Sequence, residues 1–368
     1  MIVGCVKEIK NREFRVGMTP DNAKAFILHG HKVIGEKGLG VGAGFSDEQY
    51  INAGVDLKET AEEVWGKSDM LIKVKEPLKE EFNFLRNNLI VYTYLHLAAD
   101  RELTQAMLTR KCKGVAYETL TDEKGNLPLL KPMSEIAGRI SIIEGGKCLE
   151  KVCGGKGILI SGVPGVRPAN VVIIGGGVAG FNAARMAFGL GANVSILDIS
   201  PSRLTQLDEH FQGSIRTLYS TPNEIERQLK NADLVIGAVL IKGAKAPKLV
   251  KKEHLKLMEP GSVIVDIAID QGGCFETSKP TYHDNATFII DGVVHYCVAN
   301  IPGAVPYTST LALTNATLAY GLKIADLGLE QAAANSPAIL SAINVYDGNC
   351  TQENVADAFE LTYHALEF

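Results

Sequence analysis

The chain has 368 residues, 46% hydrophobic and 21% charged, with a formal net charge of -5 and a pI near 6.0. This is the composition of a soluble globular protein with length for two domains, and it gives no electrostatic basis for a nucleic-acid partner. No apolar run reaches membrane-spanning length, and "MIVGCVKEIKNREF" lacks the charged leader and apolar core of a cleaved signal, so a cytoplasmic protein without a membrane partner is expected.

The first 120 residues alternate strand and helix patterns. "IVGCV" (2–6) reads as a strand, and "TPDNAKAFILHG" as a helix with Thr19 as N-cap and Pro20 at its first position. "KVIGE" (32–36) is the next strand, followed by helical "DEQYINAG" and "ETAEEVWGKS". A strand over 69–74 comes next, in "LIKVKEPL", then a short helix near 78–84 and a strand in "LIVYTYLH" (89–96). The amphipathic "DRELTQAMLTRK" returns the chain to a strand at 114–119. Strands separated by helices imply a parallel sheet with right-handed crossovers.

A loop, "DEKGNLP", precedes a long helix over roughly 134–152. A second alternating region has strands at 171–174, 194–198, 215–219, 233–237 and 262–266, with shorter ones near 287–290 and 293–297. From Thr308 onward the chain reads as helical, with no new sheet of its own, so this tail is expected to pack back on the first domain. The seven cysteines, at 5, 112, 148, 153, 274, 297 and 350, show no C-x-x-C spacing and read as free thiols, without a disulfide framework or metal site.

"VVIIGGGVAGFNAARMAFGLGANVSILDI" carries the most specific signal. Gly175, Gly177 and Gly180 form G-x-G-x-x-G between an apolar strand and a helix, and Asp198 ends the following strand. The first glycine permits a tight turn, the second a close approach to a pyrophosphate, and the third close packing of helix on strand. An acidic group at Asp198 accepts from ribose hydroxyls and repels a 2'-phosphate, which favours NAD over NADP, although Arg203 is near enough to tolerate phosphate. The alternative is a glycine turn used only for packing, with Asp198 a solvated strand end.

Ligands of open α/β sheets bind beyond the carboxyl ends of the strands. Arg15 follows the first strand, Lys75 the strand at 69–74, and His96 the strand at 89–95. A guanidinium suits a carboxylate, an ammonium suits a carbonyl or carboxylate oxygen, and an imidazole suits acid-base work near neutrality. Each has a plainer reading: Arg15 as a solvated arginine, Lys75 as an ion-pair partner of Glu76, and His96 as a hydrogen-bonded core histidine. Lys73, one side-chain repeat before Lys75, reads as lining a cleft floor or pairing with an acidic neighbour. In the second domain, Asp270 sits in a turn before Gly272-Gly273 and Asn300 follows a short strand. An Asx-type turn for Asp270 and a cap for Asn300 stand beside functional roles.

These residues, with "KEIKNREFRVGMTP", "LIKVKEP", "LHLAAD", "LPLLKPMSEIAGR", "GVPGVRPANVVIIGGGVAG", "ADLVIGAV", "GAKAPKLV", "VDIAIDQGGCFE" and "CVANIPGAVPYTST", resemble the bacterial alanine dehydrogenases over nearly the whole chain. The resemblance implies an α/β protein of two Rossmann-like domains with parallel sheets, separated by a substrate cleft and joined by long helices. Residues 1–128 with 307–368 would form the substrate domain, and 129–306 the NAD-binding domain. It implies a homo-oligomer, commonly a hexamer, that interconverts L-alanine with pyruvate and ammonia using NAD. Arg15 and Lys75 would hold the substrate, with Asn300 beside it, His96 would be the acid-base residue, and Asp270 would assist at the nicotinamide and substrate. Ser134, Val178, Ala179, Asp198, Arg203, Ser220, Val239, Leu240, Ile267, Val298 and Asn300 would join the three glycines and Asp270 at the NAD site. Lys279, in "TSKP", falls where relatives can carry arginine. Two rival readings keep the same nucleotide fingerprint. The NAD-binding subunit of a proton-translocating transhydrogenase would give Lys75 and His96 no shared task, and a non-catalytic NAD-sensing protein would need no charged rim.

Overall fold

A computed structural model describes residues 1–239 and 246–368. Its strands, in chain order, are β1 (Ile2–Cys5), β2 (Lys32–Glu36), β3 (Asp56–Lys58), β4 (Met70–Ile72), β5 (Ile90–Thr93), β6 (Lys113–Ala116), β7 (Asn170–Ile174) and β8 (Asn193–Asp198). They continue as β9 (Arg216–Tyr219), β10 (Leu234–Gly237), β11 (Val263–Asp266), β12 (Thr287–Ile290), β13 (Val293–Tyr296), β14 (Ile343–Tyr346) and β15 (Asn349–Cys350). The chain divides into two compact units, Met1–Met133 with Val305–Phe368, and Ser134–Ala304. One division falls inside the helix Lys131–Cys148 and the other just before the helix Pro306–Leu327.

The first unit holds a sheet in the order β15-β14-β6-β5-β4-β1-β2-β3. Strands β1 to β6 are parallel. Read from the far edge, they run β3-β2-β1-β4-β5-β6, a doubly wound order that reverses between β1 and β4. Cys5 pairs with Ile72, so these two strands end level with one another. One face of the sheet buries Leu71, Val91, Trp65 and Met107 in a common cluster. The other face is covered by the long tail helix, where Tyr92 Oη donates to Thr317 O at 3.1 Å. Burial on both faces explains why β4 and β5 are buried at every position rather than alternating. The helix Pro20–Leu28 starts as its sequence implies: Asn22 N–H donates to Thr19 Oγ1 at 3.2 Å, with Pro20 at the first position.

Three features depart from the sequence reading. The tail is not wholly helical, because β14 joins antiparallel to β6 and β15 pairs with β14, widening the first sheet. The short polar β3 adds an edge beside β2. Strand β4 stops at Ile72. Beyond it, Val74 N–H donates to the Glu8 carboxylate at 2.6 Å, so a side chain replaces a neighbouring strand as its acceptor.

The second unit has the order β12-β13-β11-β10-β7-β8-β9. All neighbours are parallel except the β12–β13 hairpin. Its parallel strands again follow the doubly wound pattern, reversing between β7 and β10. Val172, Ile174, Val235, Ile264 and Phe275 form its core. No helix among the described residues is long and apolar enough to cross a membrane.

Candidate functional site

On the first unit, the loops after β1, β4 and β5 leave the carboxyl rim at the reversal point. Lys73 is fully buried, with its ammonium 3.2 Å from Glu8 Oε2 and 2.9 Å from Glu81 Oε1. Burial opposes its charge, but the two carboxylates outweigh that and hold its pKa above the ordinary lysine value. Burial also pushes Glu8 up, despite Lys73 and the Val74 N–H. Lys73 is therefore a structural cation, paired with acidic neighbours.

Arg15 is equally enclosed, at 2% exposure, which removes the solvated reading. Its Nε donates to Glu13 Oε1 at 2.7 Å and its Nη2 to Glu13 Oε2 at 2.6 Å. Nη1 points at Met133 Sδ, 3.0 Å away. The planar fork expected to meet a substrate carboxylate is thus engaged by Glu13, which fixes the orientation of the guanidinium. Burial would raise the Glu13 pKa, but the Arg15 hydrogen bonds and charge, with Lys75, bring it down to about 2. Lys75 is half-buried. Its charge acts on Glu13 and also on Glu76, which burial would raise but which Lys10, Lys75 and His96 hold low. Glu76 takes Lys10 as its ion-pair partner.

His96 is exposed on the same rim, with a left-handed backbone (φ 49°). A non-glycine residue needs support in that conformation. Glu118 supplies it: one carboxylate accepts Leu95 N–H at 3.2 Å and His96 N–H at 2.6 Å. Glu118 Oε1 also lies 3.9 Å from His96 Nδ1. The imidazole stacks on Tyr94, with centroids 5.8 Å apart and planes 6° from parallel. An anchored, solvent-facing imidazole replaces the buried core histidine. Arg15, Lys75 and His96 thus follow the neighbouring strands β1, β4 and β5 on one rim, as the sequence implied. Sequence reasoning missed Glu8, Glu13 and Glu118; only Glu13, two residues before Arg15, offered a local signal.

On the second unit, the glycine turn joins β7 to the helix Val178–Gly189 at that sheet's reversal point. Gly175 has φ 102°, and a Cβ there would lie 2.6 Å from Ala238 O. At Gly180 a Cβ would meet Gly175 O at 1.8 Å, while at Gly177 it would meet nothing within 4 Å among the described residues. The outer glycines are therefore required by the protein's own packing, and Gly177 leaves an open approach at a helix N-terminus. This arrangement fits a dinucleotide pyrophosphate.

Asp198 Oδ2 accepts Gly176 N–H at 2.7 Å and Oδ1 accepts Ser200 N–H at 2.8 Å, so the carboxylate also braces the turn. Ser220 N–H donates to Asp198 O at 3.0 Å. Arg203 donates through Nε to Gly176 O at 2.6 Å and lies 5.6 Å over the Phe181 ring. Burial lowers its pKa against the opposing pull of Asp198. Arg203 is a brace of the turn in this state.

Val178 and Ala179 form the first helical turn, and Val239 follows β10 against Gly175. Ser134 lies one turn before Gly138, where a Cβ would be 2.1 Å from Ala179 O. Ile267 and Asp270 occupy the short helical turn Ile267–Gln271 after β11, with Asp270 exposed. Val298 is buried and bridges to Thr281. Asn300 is half-buried with φ 65°, at the entry to the turn Ile301–Ala304. The Lys279 ammonium lies 4.5 Å over the Phe288 ring. Leu240 lies outside the described residues. All seven cysteines are free, and burial pushes Cys5, Cys148 and Cys297 up to about 12. Among the described residues no acidic, histidine or cysteine cluster is arranged to hold a metal ion.

A dinucleotide turn on one doubly wound unit and a cationic, histidine-bearing rim on the other define a dehydrogenase of the two-domain α/β class. Models of the alanine dehydrogenase/PNT N-terminal domain and C-terminal domain match residues 4–137 and 141–353. The chain belongs to the alanine dehydrogenase/PNT family. It is 54% identical to an alanine dehydrogenase of Methanococcus maripaludis, across 100% of this chain and 99% of that one. An alanine dehydrogenase of Halomonas elongata is 51% identical, with 99% and 98% covered. Among solved structures, an L-alanine dehydrogenase superposes with TM-score 0.94 at 47% identity, covering 98% of this chain and 99% of that one. A transhydrogenase from Sinorhizobium meliloti shares the fold, with TM-score 0.81 at 23% identity over 96% and 99%.

Proposed function

We propose that the protein is an NAD-dependent L-alanine dehydrogenase, converting L-alanine reversibly to pyruvate and ammonia. The observation that carries the reading is that Arg15, Lys75 and His96 follow three neighbouring parallel strands of the first sheet, with Arg15 oriented by Glu13 and His96 anchored by Glu118. Full-length relatives with more than half of their residues identical carry the same activity in their names, which favours this reading over the transhydrogenase one. The Asp198 carboxylate at the ribose position supports NAD as the cofactor.

Arg15, oriented by Glu13, and Lys75 place their positive charges at the alanine carboxylate. Fixing the carboxylate fixes Cα, which supplies the orientation part of the rate. When bound, NAD+ would supply the hydride acceptor for Cα once the substrate amine has lost its proton to solvent, leaving an iminium. His96 takes the proton of the water that adds to the resulting iminium carbon and returns a proton to the departing amine. The family resemblance would give Asp270 an assisting role in the reaction and Asn300 a role in substrate binding. Ser134, Val178, Ala179, Arg203, Ser220, Val239, Leu240, Ile267 and Val298 complete the NAD site with Gly175, Gly177, Gly180 and Asp198. The family resemblance supports a cytoplasmic homo-oligomer, a hexamer. Val152, Leu159 and Val166, at 90%, 60% and 61% exposure, are apolar surface of the kind an assembly covers.

The test is purified full-length protein with NAD+ and L-alanine at alkaline pH, followed by NADH absorbance. Steady NADH production is the expected result. A folded, NAD-binding protein that leaves L-alanine unchanged would defeat the reading.

A further inference from the structure

Asp266 is the last residue of β11 and is fully buried, yet among the described residues no ion pair offsets its charge. A buried carboxylate without a counter-ion is costly unless many donors satisfy it. Here they do. Oδ1 accepts Ala268 N–H at 3.0 Å. Oδ2 accepts Cys274 N–H at 3.0 Å, Phe275 N–H at 3.4 Å and the Ser278 hydroxyl at 2.5 Å. Gly273 has φ 76°, and a Cβ there would lie 2.5 Å from Oδ2, so the loop is shaped closely around this group.

The donors come from both sides of Asp270. Ala268 precedes it, while Cys274, Phe275 and Ser278 follow it, and Asp270 stands exposed between them. The Asp266 carboxylate therefore draws together both stems of the loop that presents Asp270, beside the backbone bond from Gly273 N–H to Ala268 O at 3.0 Å. Lys248 braces only the later stem, donating to Gly273 O at 2.8 Å and Phe275 O at 3.1 Å.

We propose that Asp266 is a positioning residue that fixes the Asp270 carboxylate for the reaction by tying both stems of its loop to one buried acceptor. The assignment rests on the dehydrogenase reading and deepens it. Aspartate is needed because asparagine offers one acceptor oxygen and an N–H2 group that opposes the donors around it. A loop loosened by an ångström forfeits catalysis more than nucleotide binding.

The experiment compares full-length wild type, Asp266→Asn, Asp270→Asn and the double variant, by alanine oxidation, NADH binding and hydrogen exchange over 267–278. Asp266→Asn is expected to lower kcat about tenfold or more while NADH affinity stays within about twofold, with faster exchange confined to the loop. In the Asp270→Asn background it should add less than about a twofold further loss, because both changes remove the same interaction. Ser278→Ala should move kcat and exchange in the same direction by a smaller factor, and it carries the test if Asp266→Asn does not fold. Wild-type kcat with wild-type exchange in Asp266→Asn, or in Ser278→Ala if that variant alone folds, overturns the proposal, as do multiplicative losses in the double variant. Absence of alanine turnover in the wild type would instead defeat the dehydrogenase reading, and loop exchange alone would still judge the tether.

Discussion

Arg15 and Glu13 form a two-point ion pair within the first unit, 2.7 and 2.6 Å long, with both side chains almost wholly out of solvent. The pair orients the Arg15 guanidinium that the proposed substrate would meet. Glu13→Gln removes one charge and one of the two acceptors while leaving the guanidinium buried. Breaking a buried pair in this way costs roughly 3–5 kcal/mol. Thermal unfolding should show a lower Tm, and kcat/KM for alanine should fall mainly through KM. An unchanged KM would remove Glu13 from substrate positioning.

Glu13 also gives a pH signature. Its pKa is about 2 in the folded chain, below the ordinary 4.5, so ionised Glu13 stabilises the fold. A depressed folded pKa contributes stability that is fully present above the unfolded value and lost as pH falls through the folded one. Between about pH 4.5 and about 2, wild-type stability should therefore decline more steeply than that of Glu13→Gln. Denaturant unfolding at a series of pH values measures the two slopes. Parallel slopes would mean that Glu13 titrates normally.

Lys73 and Lys75 differ by two positions and should differ in kind. Lys73→Met strands Glu8 and Glu81 as buried carboxylates, and the expected loss is again roughly 3–5 kcal/mol of stability. Lys75→Met, at a half-buried position, should leave Tm within a few degrees and remove most alanine turnover. Calorimetry and steady-state kinetics on both variants separate the roles. Loss of turnover without loss of stability in Lys73→Met would reverse them.

The glycine turn permits a similar separation. A methyl group at Gly180 would fall 1.8 Å from Gly175 O, so Gly180→Ala should weaken both the fold and NAD binding. At Gly177, among the described residues, none beyond its chain neighbours lies within 4 Å of the added carbon. Gly177→Ala should keep its Tm yet bind NADH at least about tenfold more weakly, because the methyl group meets the pyrophosphate. Fluorescence titration with NADH decides this, and wild-type affinity in Gly177→Ala would place the phosphates elsewhere.

The sequence carried the architecture wherever periodicity was strong. The parallel strands, the glycine turn after Ile174 and the emergence of Arg15, Lys75 and His96 from one rim were all legible, because each depends on local pattern and one topological rule. Strands β3 and β15, of three and two residues, are too short to show alternation, and β14 follows helices closely enough to be absorbed into their pattern. The carboxylates were the least visible part. Glu8 finds Lys73 from 65 positions away and Glu118 supports His96 from 22, so their partners become apparent only in three dimensions. The end of β4 at Ile72 has the same cause, since Glu8 takes the Val74 N–H.

The most direct measurement follows one hydrogen atom. Oxidation of L-alanine deuterated at Cα, with the full-length protein and NAD+, is analysed by mass spectrometry of NADH and pyruvate. The account predicts one deuterium in the reduced nicotinamide, none exchanged into water, and a slower rate than with unlabelled alanine where the transfer limits turnover. Deuterium released to solvent, or NAD+ left unreduced by a folded protein, would contradict it.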